Sequence, residues 1–149
     1  PKRVGSDNEL LHKNRRQIGH FLRRIGALMG KDISLNSEGV AYFAYRRFVI
    51  VVEVPVDNIN VVYIYTMVCR LVEGDNEAAA LKRAMEFNYM EMVTRGATLG
   101  LDGQEVNLCY STFIHGLAFA DLRSAIENFL ATACKVNQVL EVVKKGSST

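Results

Sequence analysis

The residues equipped for chemistry are few and scattered. The histidines are His12, His20 and His115, and the cysteines are Cys69, Cys109 and Cys134. A zinc centre needs paired spacings such as CxxC or HExxH, because its ligands must converge on one ion. His12 and His20 stand eight apart on one helix, without a carboxylate in that pattern. Ser111 and Thr112 lie close to His115 in Phe113-Ile-His-Gly116, but no GxSxG elbow frames a nucleophile. The glycines form neither GxxxxGK[ST] nor GxGxxG, so no phosphate cradle is written. Glu73, Asp75 and Glu77 crowd a helix start, where the helix dipole favours acids. The expectation is a protein that is not an enzyme, with no catalytic, cofactor-binding or metal-binding residues and no cofactor.

Composition narrows the class. The chain has 149 residues, 49% hydrophobic and 23% charged, which suits one globular core without cross-links. A net charge of +2 argues against a dedicated nucleic-acid binder. Three widely spaced cysteines read as reduced thiols packed as small hydrophobes in a cytoplasmic protein. The longest apolar stretch, Phe48 to Val72, is interrupted by Glu53, Pro55, Asp57, Asn58 and Asn60, so membrane insertion is not expected. The start lacks the basic-then-apolar plan of a signal peptide. The expected layout is a disordered or expression-derived N-terminus over 1–7, a single domain over 8–144 and a flexible tail over 145–149.

Hydrophobic periodicity supplies the elements that would position anything functional. Leu11, Ile18, Phe21, Leu22, Ile25, Leu28 and Met29 recur at helical steps from Asn8 to Lys31, with Asp7 as N-cap and Gly30 as stop. The opposite side carries Lys13, Arg16, His20, Arg23 and Arg24. Strands follow at Val40–Ala44, Phe48–Val54 and Val61–Val72, with a turn near Tyr45-Arg-Arg47 and a break at Pro55–Asn60. Their close spacing predicts an antiparallel meander. A second helix is predicted over Glu77 to Glu91, capped by Asp75 or Asn76, with Ala80, Leu81, Ala84, Met85, Phe87 and Met90 apolar. A hairpin spans Ala97 to Phe113, and its Asp102-Gly103 predicts a type I′ turn. Phe119 to Val143 is a third helix with Leu122, Ile126, Phe129, Leu130, Ala133, Val136 and Leu140 as its core stripe. The fold class is α+β: helix, three strands, helix, two strands, helix, with an antiparallel sheet.

One physical feature stands out. Alternate residues of Val61–Val72 face opposite sides, with Val61, Tyr63, Tyr65, Met67, Cys69 and Leu71 on one and Val62, Ile64, Thr66, Val68, Arg70 and Val72 on the other, yet both sides are mostly apolar. A half-covered antiparallel sheet should alternate apolar with polar. Either helices cover both faces, or a second copy or a bound partner covers one.

Four strings carry a resemblance: Ile25-Gly-Ala-Leu-Met-Gly30, Leu35-Asn-Ser-Glu-Gly-Val40, Ala84-Met-Glu-Phe-Asn88 and Ala97-Thr-Leu-Gly-Leu-Asp102. In their order and spacing, from about Leu10 to Leu140, the chain resembles the Tir-chaperone (CesT-type) family, the class I chaperones of bacterial type III secretion. The resemblance implies a cytoplasmic homodimer without catalytic activity. It would bind an extended N-terminal segment of a secreted effector polypeptide and keep it competent for export. Carried over by element, it implies a dimer contact through Leu81, Met85, Leu99, Val106 and Leu108. It implies effector grooves through Ile18, Phe21, Leu22, Ile25, Tyr42 and Phe48. Met29, Met67, Met85, Met90 and Met92 are candidates for adaptable apolar surface. Members are typically acidic, whereas this chain has a pI near 8.6. The basic side of the first helix, with Arg16, Arg23 and Arg24, and the pair Arg46-Arg47 therefore raise an alternative. That alternative is an adaptor or regulatory module on the same fold, with a folded or acidic partner. A small-molecule enzyme built on His115 and Ser111 is the third reading.

Overall fold

The computed structural model describes residues 2–89 and 93–146, with side chains from Gly5 onward. The elements run α1 (Lys2–Met29), β1 (Val40–Tyr45), β2 (Phe48–Glu53), β3 (Val61–Arg70), α2 (Glu77–Asn88), β4 (Thr98–Asp102), β5 (Glu105–Phe113) and α3 (Phe119–Lys144). The strands form one antiparallel sheet in the order β1-β2-β3-β5-β4, so the fold is α+β as the periodicity predicts. By contacts the chain forms two compact units. One runs up to Ile64 and includes Ser111–Ala125; the other is Tyr65–Tyr110 with the residues from Ile126 onward.

In the first unit, α1 is already helical at Lys2, so Asp7 lies inside the helix instead of capping it. Between Lys2 and Asp7 there is no proline, and the single Gly5 costs only about 1 kcal/mol of helix propensity. The C-terminal end matches expectation: Lys31 N–H donates to the Gly26 carbonyl at 2.8 Å and Gly30 N–H to that of Ala27, the paired bonds of a Schellman motif. Leu11, Ile18, Leu22 and Ile25 are buried, and Phe21 and Met29 half-buried. Leu28 is 61% exposed, since at 100° per residue it falls about 80° from the centre of that stripe. Two side chains tie α1 to loops: Asn14 Nδ2 donates to the Ile59 carbonyl at 2.8 Å, and Gln17 Nε2 to that of Leu117 at 3.1 Å.

The hairpin of β1 and β2 turns at Arg46-Arg47, pairing Tyr42 with Val51 and Ala44 with Val49. Ala41 and Phe43 of β1 and Phe48, Ile50 and Val52 of β2 are buried on one face. On the other face Tyr42, Ala44 and Val49 are exposed. In β3, Val62, Ile64, Thr66 and Val68 are fully buried, while Tyr63 and Tyr65 are half-buried and Met67 is exposed. The two-sided apolar pattern thus resolves into one packed face and one that the chain covers only in part.

In the second unit, Asn76 is the cap of α2, its Oδ1 accepting from Ala79 N–H at 3.1 Å; Asp75 instead accepts from Val72 N–H. The helix stops at Asn88 because Tyr89 is extended (φ −75°, ψ 116°); the predicted last residues Met90 and Glu91, and Met92, lie outside the described residues. The β4–β5 turn is displaced by one residue. Asp102 pairs with Glu105, so Gly103 and Gln104 are the central pair. Only Gly103 has positive φ (+59°), which is the requirement of a type II′ turn rather than I′. The stripe of α3 is buried at all seven predicted positions from Leu122 to Leu140.

A small ionic cluster closes this unit. Lys144 Nζ donates to the Arg70 carbonyl at 2.9 Å and lies 3.0 Å from Glu141 and 3.8 Å from Asp75. Asn76 N–H donates to the Lys144 carbonyl at 2.6 Å, so one residue ties the end of α3 to β3 and to the cap of α2. Burial alone would lower the ammonium's pKa, but the hydrogen bond and charge of Glu141, the neighbouring Cys69 and Asp75 more than offset it, and the pKa is raised. Lys144→Met leaves two carboxylates facing each other without their cation. It is expected to cost about 3 kcal/mol, since removing one partner of a buried pair strands the other. In a melt this is a Tm lower by roughly 6–10 °C. The sign of the pH dependence follows from the raised pKa. The difference between wild type and variant should hold below pH 10.5, the ordinary lysine value, and shrink as pH rises beyond it.

Candidate protein-binding surfaces

The edge strand β1 is positioned by a short chain of bonds that starts in α1. Arg15 Nε donates to the Val54 carbonyl at 3.0 Å, and its NH2 to that of Glu38 at 2.9 Å. Val54 N–H donates to the Gly39 carbonyl at 2.9 Å, which begins the β1–β2 ladder. Outside the ladder, Asn36 closes on Val40: Asn36 N–H donates to the Val40 carbonyl at 2.8 Å, and Val40 N–H to Asn36 Oδ1 at 3.0 Å. Gly39 has φ +77°, and a Cβ there would collide with the Arg15 guanidinium, so this approach requires glycine.

This phasing decides which backbone groups are open. In an antiparallel pair, successive residues point their N–H and C=O alternately toward and away from the partner. Gly39 bonds inward to β2 and Val40 bonds outward to Asn36, so Tyr42 and Ala44 also point outward. No strand pairs them there among the described residues. Beside them is an apolar row, Tyr42 (60% exposed), Ala44 and Val49 (61% exposed). The opposite edge is treated differently. Asn88 Nδ2 donates to the Leu99 carbonyl at 2.9 Å, and Leu99 N–H to Asn88 Oδ1 at 2.8 Å, so the end of α2 occupies the edge of β4 at that residue.

The second surface is the outward side of α2. Ala80, Ala84 and Phe87 are buried, while Leu81, Met85 and Tyr89 form a second stripe, with Met85 74% and Tyr89 80% exposed. A hollow of about 250 Å³ lies between α2 and β4, lined by Leu81, Ala84, Met85, Asn88, Leu99, Gly100, Leu101 and Val106. Leu101 and Val106 face each other across β4 and β5, and Leu101 is half exposed.

The predicted site residues distribute unevenly. Of the effector set, Ile18, Leu22, Ile25 and Phe48 are buried and form core, Phe21 is half-buried against Phe119, and Tyr42 alone is exposed. Of the dimer set, Leu81, Met85, Leu99 and Val106 meet at one hollow, whereas Leu108 is fully buried. Arg16, Arg23 and Arg24 are exposed on α1, Arg24 lying 3.8 Å over the Phe119 ring. Ala44, Val49, Tyr89 and Leu101 were not predicted. Tyr89 was legible as the next four-residue step after Leu81 and Met85; the β1 row depends on strand order, which periodicity does not reveal. His12, His20 and His115 are exposed, and among the described residues no group of three or more metal-binding side chains converges. Burial, with help from Glu141, pushes the Cys69 thiol up to about 11, and burial likewise raises Cys109, so both resist forming thiolate at neutral pH. No described helix is long and apolar enough to cross a membrane.

Comparison with known proteins agrees with this picture. The model of the Tir chaperone protein (CesT) family matches residues 17–137. The fold is similar to that in the crystal structure of the ExsC-ExsE complex (TM-score 0.69, 17% identity, covering 84% of this chain and 94% of that one). It is also similar to the HopA1-SchA chaperone-effector complex (TM-score 0.62, 12% identity, 88% and 96% covered). A third similar structure is the Yersinia pestis type III secretion chaperone SycH in complex with a stable fragment of YscM2 (TM-score 0.58, 14% identity, 79% and 98% covered). No curated protein matches the chain by sequence.

The Arg15–Gly39 contact sets a measurable coupling. Gly39→Ala imposes left-handed strain of roughly 1–2 kcal/mol and displaces a guanidinium that makes two hydrogen bonds. A loss of about 3 kcal/mol is expected by urea unfolding. Arg15→Ala in the same chain should relieve the collision, so the double variant should lose less than the sum of the two single losses.

Proposed function

The chain belongs to the Tir chaperone (CesT) family, and on that premise we propose that it is a dimeric secretion chaperone without catalytic activity. In this reading it holds an extended N-terminal segment of a secreted effector in the cytoplasm and keeps that segment competent for type III export. The observation that carries the reading is the open edge of β1. Among the described residues no strand pairs the outward N–H and C=O groups of Tyr42 and Ala44, which lie beside the apolar row of Tyr42, Ala44 and Val49. An added strand would take its affinity from those main-chain groups and its specificity from the side-chain row. The similar fold of HopA1-SchA, a chaperone-effector complex, supports the same assignment. Ile18, Leu22, Ile25 and Phe48 then act from within, as the packed floor that keeps the edge strand straight.

The second copy is assigned to the outward stripe of α2. Leu81, Met85, Tyr89 and Leu101 are apolar and open to water, and burying each large side chain contributes roughly 1.5–3 kcal/mol. Isologous pairing would let each copy cover the other's stripe. The adaptor alternative is favoured by a different observation, the exposed cations of α1, and does not need the β1 edge.

Two substitutions separate the parts. Ala44→Pro removes one outward N–H on an edge strand, where proline is tolerated, while Ala44→Val keeps that donor. Native mass spectrometry of protein purified gently from its own host should show a dimer of the 16.7 kDa chain with one additional polypeptide. That polypeptide should be lost with Ala44→Pro and kept with Ala44→Val; equal retention in both would remove strand addition from the account. Met85→Glu should give a monomer by sedimentation at micromolar concentration, with exposed Lys82→Glu as the control that stays dimeric. A wild type that is monomeric with no bound polypeptide would count against the chaperone reading as a whole.

A further inference from the structure

Charge in this chain is segregated. From Leu10 to Lys31 there are six Lys and Arg residues and no Asp or Glu; the rest of the chain holds 12 cations against 16 carboxylates, a net charge of −4. The excess is therefore local to the part of α1 that follows Glu9 and to Lys31 just after the helix, and it is also ordered. At 100° per residue Lys13, Arg16, His20, Arg23 and Arg24 fall within an arc of about 100°, over a rise of about 16 Å. All five are exposed, as is Lys31 just beyond the helix. Among the described residues no carboxylate lies within ion-pair distance of Lys13, Arg16, Arg23 or Lys31. Like charges three and four apart on a helix repel by a few tenths of a kcal/mol each, so the stripe works against the helix that carries it.

Two details give the stripe a direction of use. Arg24 Cζ lies over the Phe119 ring, 3.8 Å from its centroid, and Phe21 and Phe119 meet edge to face with centroids 5.9 Å apart. A stacked guanidinium still presents its N–H edge, and that edge pairs with a carboxylate in a bidentate fork. Leu10 and Leu28 share one flank of the stripe, and Leu28 is 61% exposed.

We propose that the stripe docks an acidic helical segment of a partner polypeptide, with carboxylates every three to four residues and an apolar side chain beside them to cover Leu28. Spacing selects a helix. Cations on α1 recur at about 5 Å, the step of three to four residues on a second helix. Same-face residues of an extended strand recur at about 6.8 Å and fall out of step over the stripe's length. Composition selects a peptide over a nucleic acid. The net −4 of the rest of the chain repels a polyanion longer than the stripe, and the Phe21–Phe119 pair is engaged with itself and with Arg24 instead of offering a face to bases. The docking surface uses none of the β1 edge or α2 stripe residues, so it stands or falls independently of the chaperone reading.

The test is fluorescence anisotropy with a labelled synthetic helix carrying Glu at every third or fourth position and Leu along one flank. The comparison probes are a scrambled peptide of the same composition and a single-stranded oligonucleotide of equal charge. Wild type should bind the helix more tightly than either comparison probe, and about tenfold or more weaker at 500 mM than at 50 mM salt. The double reversal Arg16→Glu/Arg23→Glu should weaken binding by at least about tenfold, and Lys135→Glu, on exposed α3 surface, should not. A thermal melt confirms that the double variant is folded, and Arg16→Gln/Arg23→Gln replaces it if it is not. A change of less than twofold on reversal, a scrambled peptide that binds equally well, or an oligonucleotide that binds more tightly would each overturn the proposal.

Discussion

Every N–H and C=O of a β-sheet must find a partner, and the two edge strands are where this requirement is hardest to meet. Much of this structure follows from how each edge is handled. At β4, Asn88 folds back and exchanges both hydrogen bonds with Leu99, so a side chain does the work of a missing strand. At β1, Asn36 does the same for Val40 alone. Beyond Val40 no comparable device appears among the described residues, and Tyr42 and Ala44 continue outward. β1 is neither very short nor interrupted by proline or a charge until Arg46, so it lacks the usual means of discouraging a further strand. An edge left in that state, beside exposed Tyr42 and Val49, is suited to accepting backbone from another chain.

The same economy appears in α2. The twelve residues of α2 and Tyr89 just after them carry two apolar stripes, Ala80-Ala84-Phe87 inward and Leu81-Met85-Tyr89 outward. A helix apolar on two sides is normally buried on two sides. Inward, Ala80 and Ala84 are small and let the helix approach closely, with Phe87 filling its end; outward, Leu81 and Met85 are long and flexible and suit a surface not fixed by the chain's own fold. Arg83 covers part of the gap, its guanidinium 4.5 Å over the Phe87 ring.

How much of this was legible before the structure depended on the kind of information each feature needs. The seven-residue stripe of α3 was read in full, because a buried helix face is a purely local periodicity. The Arg46-Arg47 turn and the Asn76 cap were legible for the same reason. The β4–β5 turn slipped by one residue because Asp102-Gly103 and Gly103-Gln104 both satisfy the need for glycine, and the choice is made by cross-strand pairing of Leu99 with Leu108 and Leu101 with Val106. The start of α1 was missed because a capping residue can be recognised only when the chain before it leaves the helix. The effector set was the least legible. An element-level comparison names apolar residues of α1 and β2, but it cannot separate Ile18 and Phe48, which are wall, from Tyr42, which is surface.

That last distinction bears on how a partner would be held. A groove whose floor were Ile18, Leu22, Ile25 and Phe48 would have to open the core to bind, at a cost of several kcal/mol for each large side chain unpacked. Such binding would be slow and coupled to local unfolding. A surface made of the β1 edge and its outward row needs no such opening, since its hydrogen-bonding groups and its apolar atoms already face water. An unfolded segment must give up about 1–2 kcal/mol of backbone entropy for each residue it orders. Only a preformed edge, with the strand direction and hydrogen-bond phase already set by Arg15, Gly39 and Asn36, avoids adding the host's own reorganisation to that cost. On that reading the rigidity of the Arg15 anchor would be part of the binding chemistry even though Arg15 itself is turned toward the Val54 and Glu38 carbonyls.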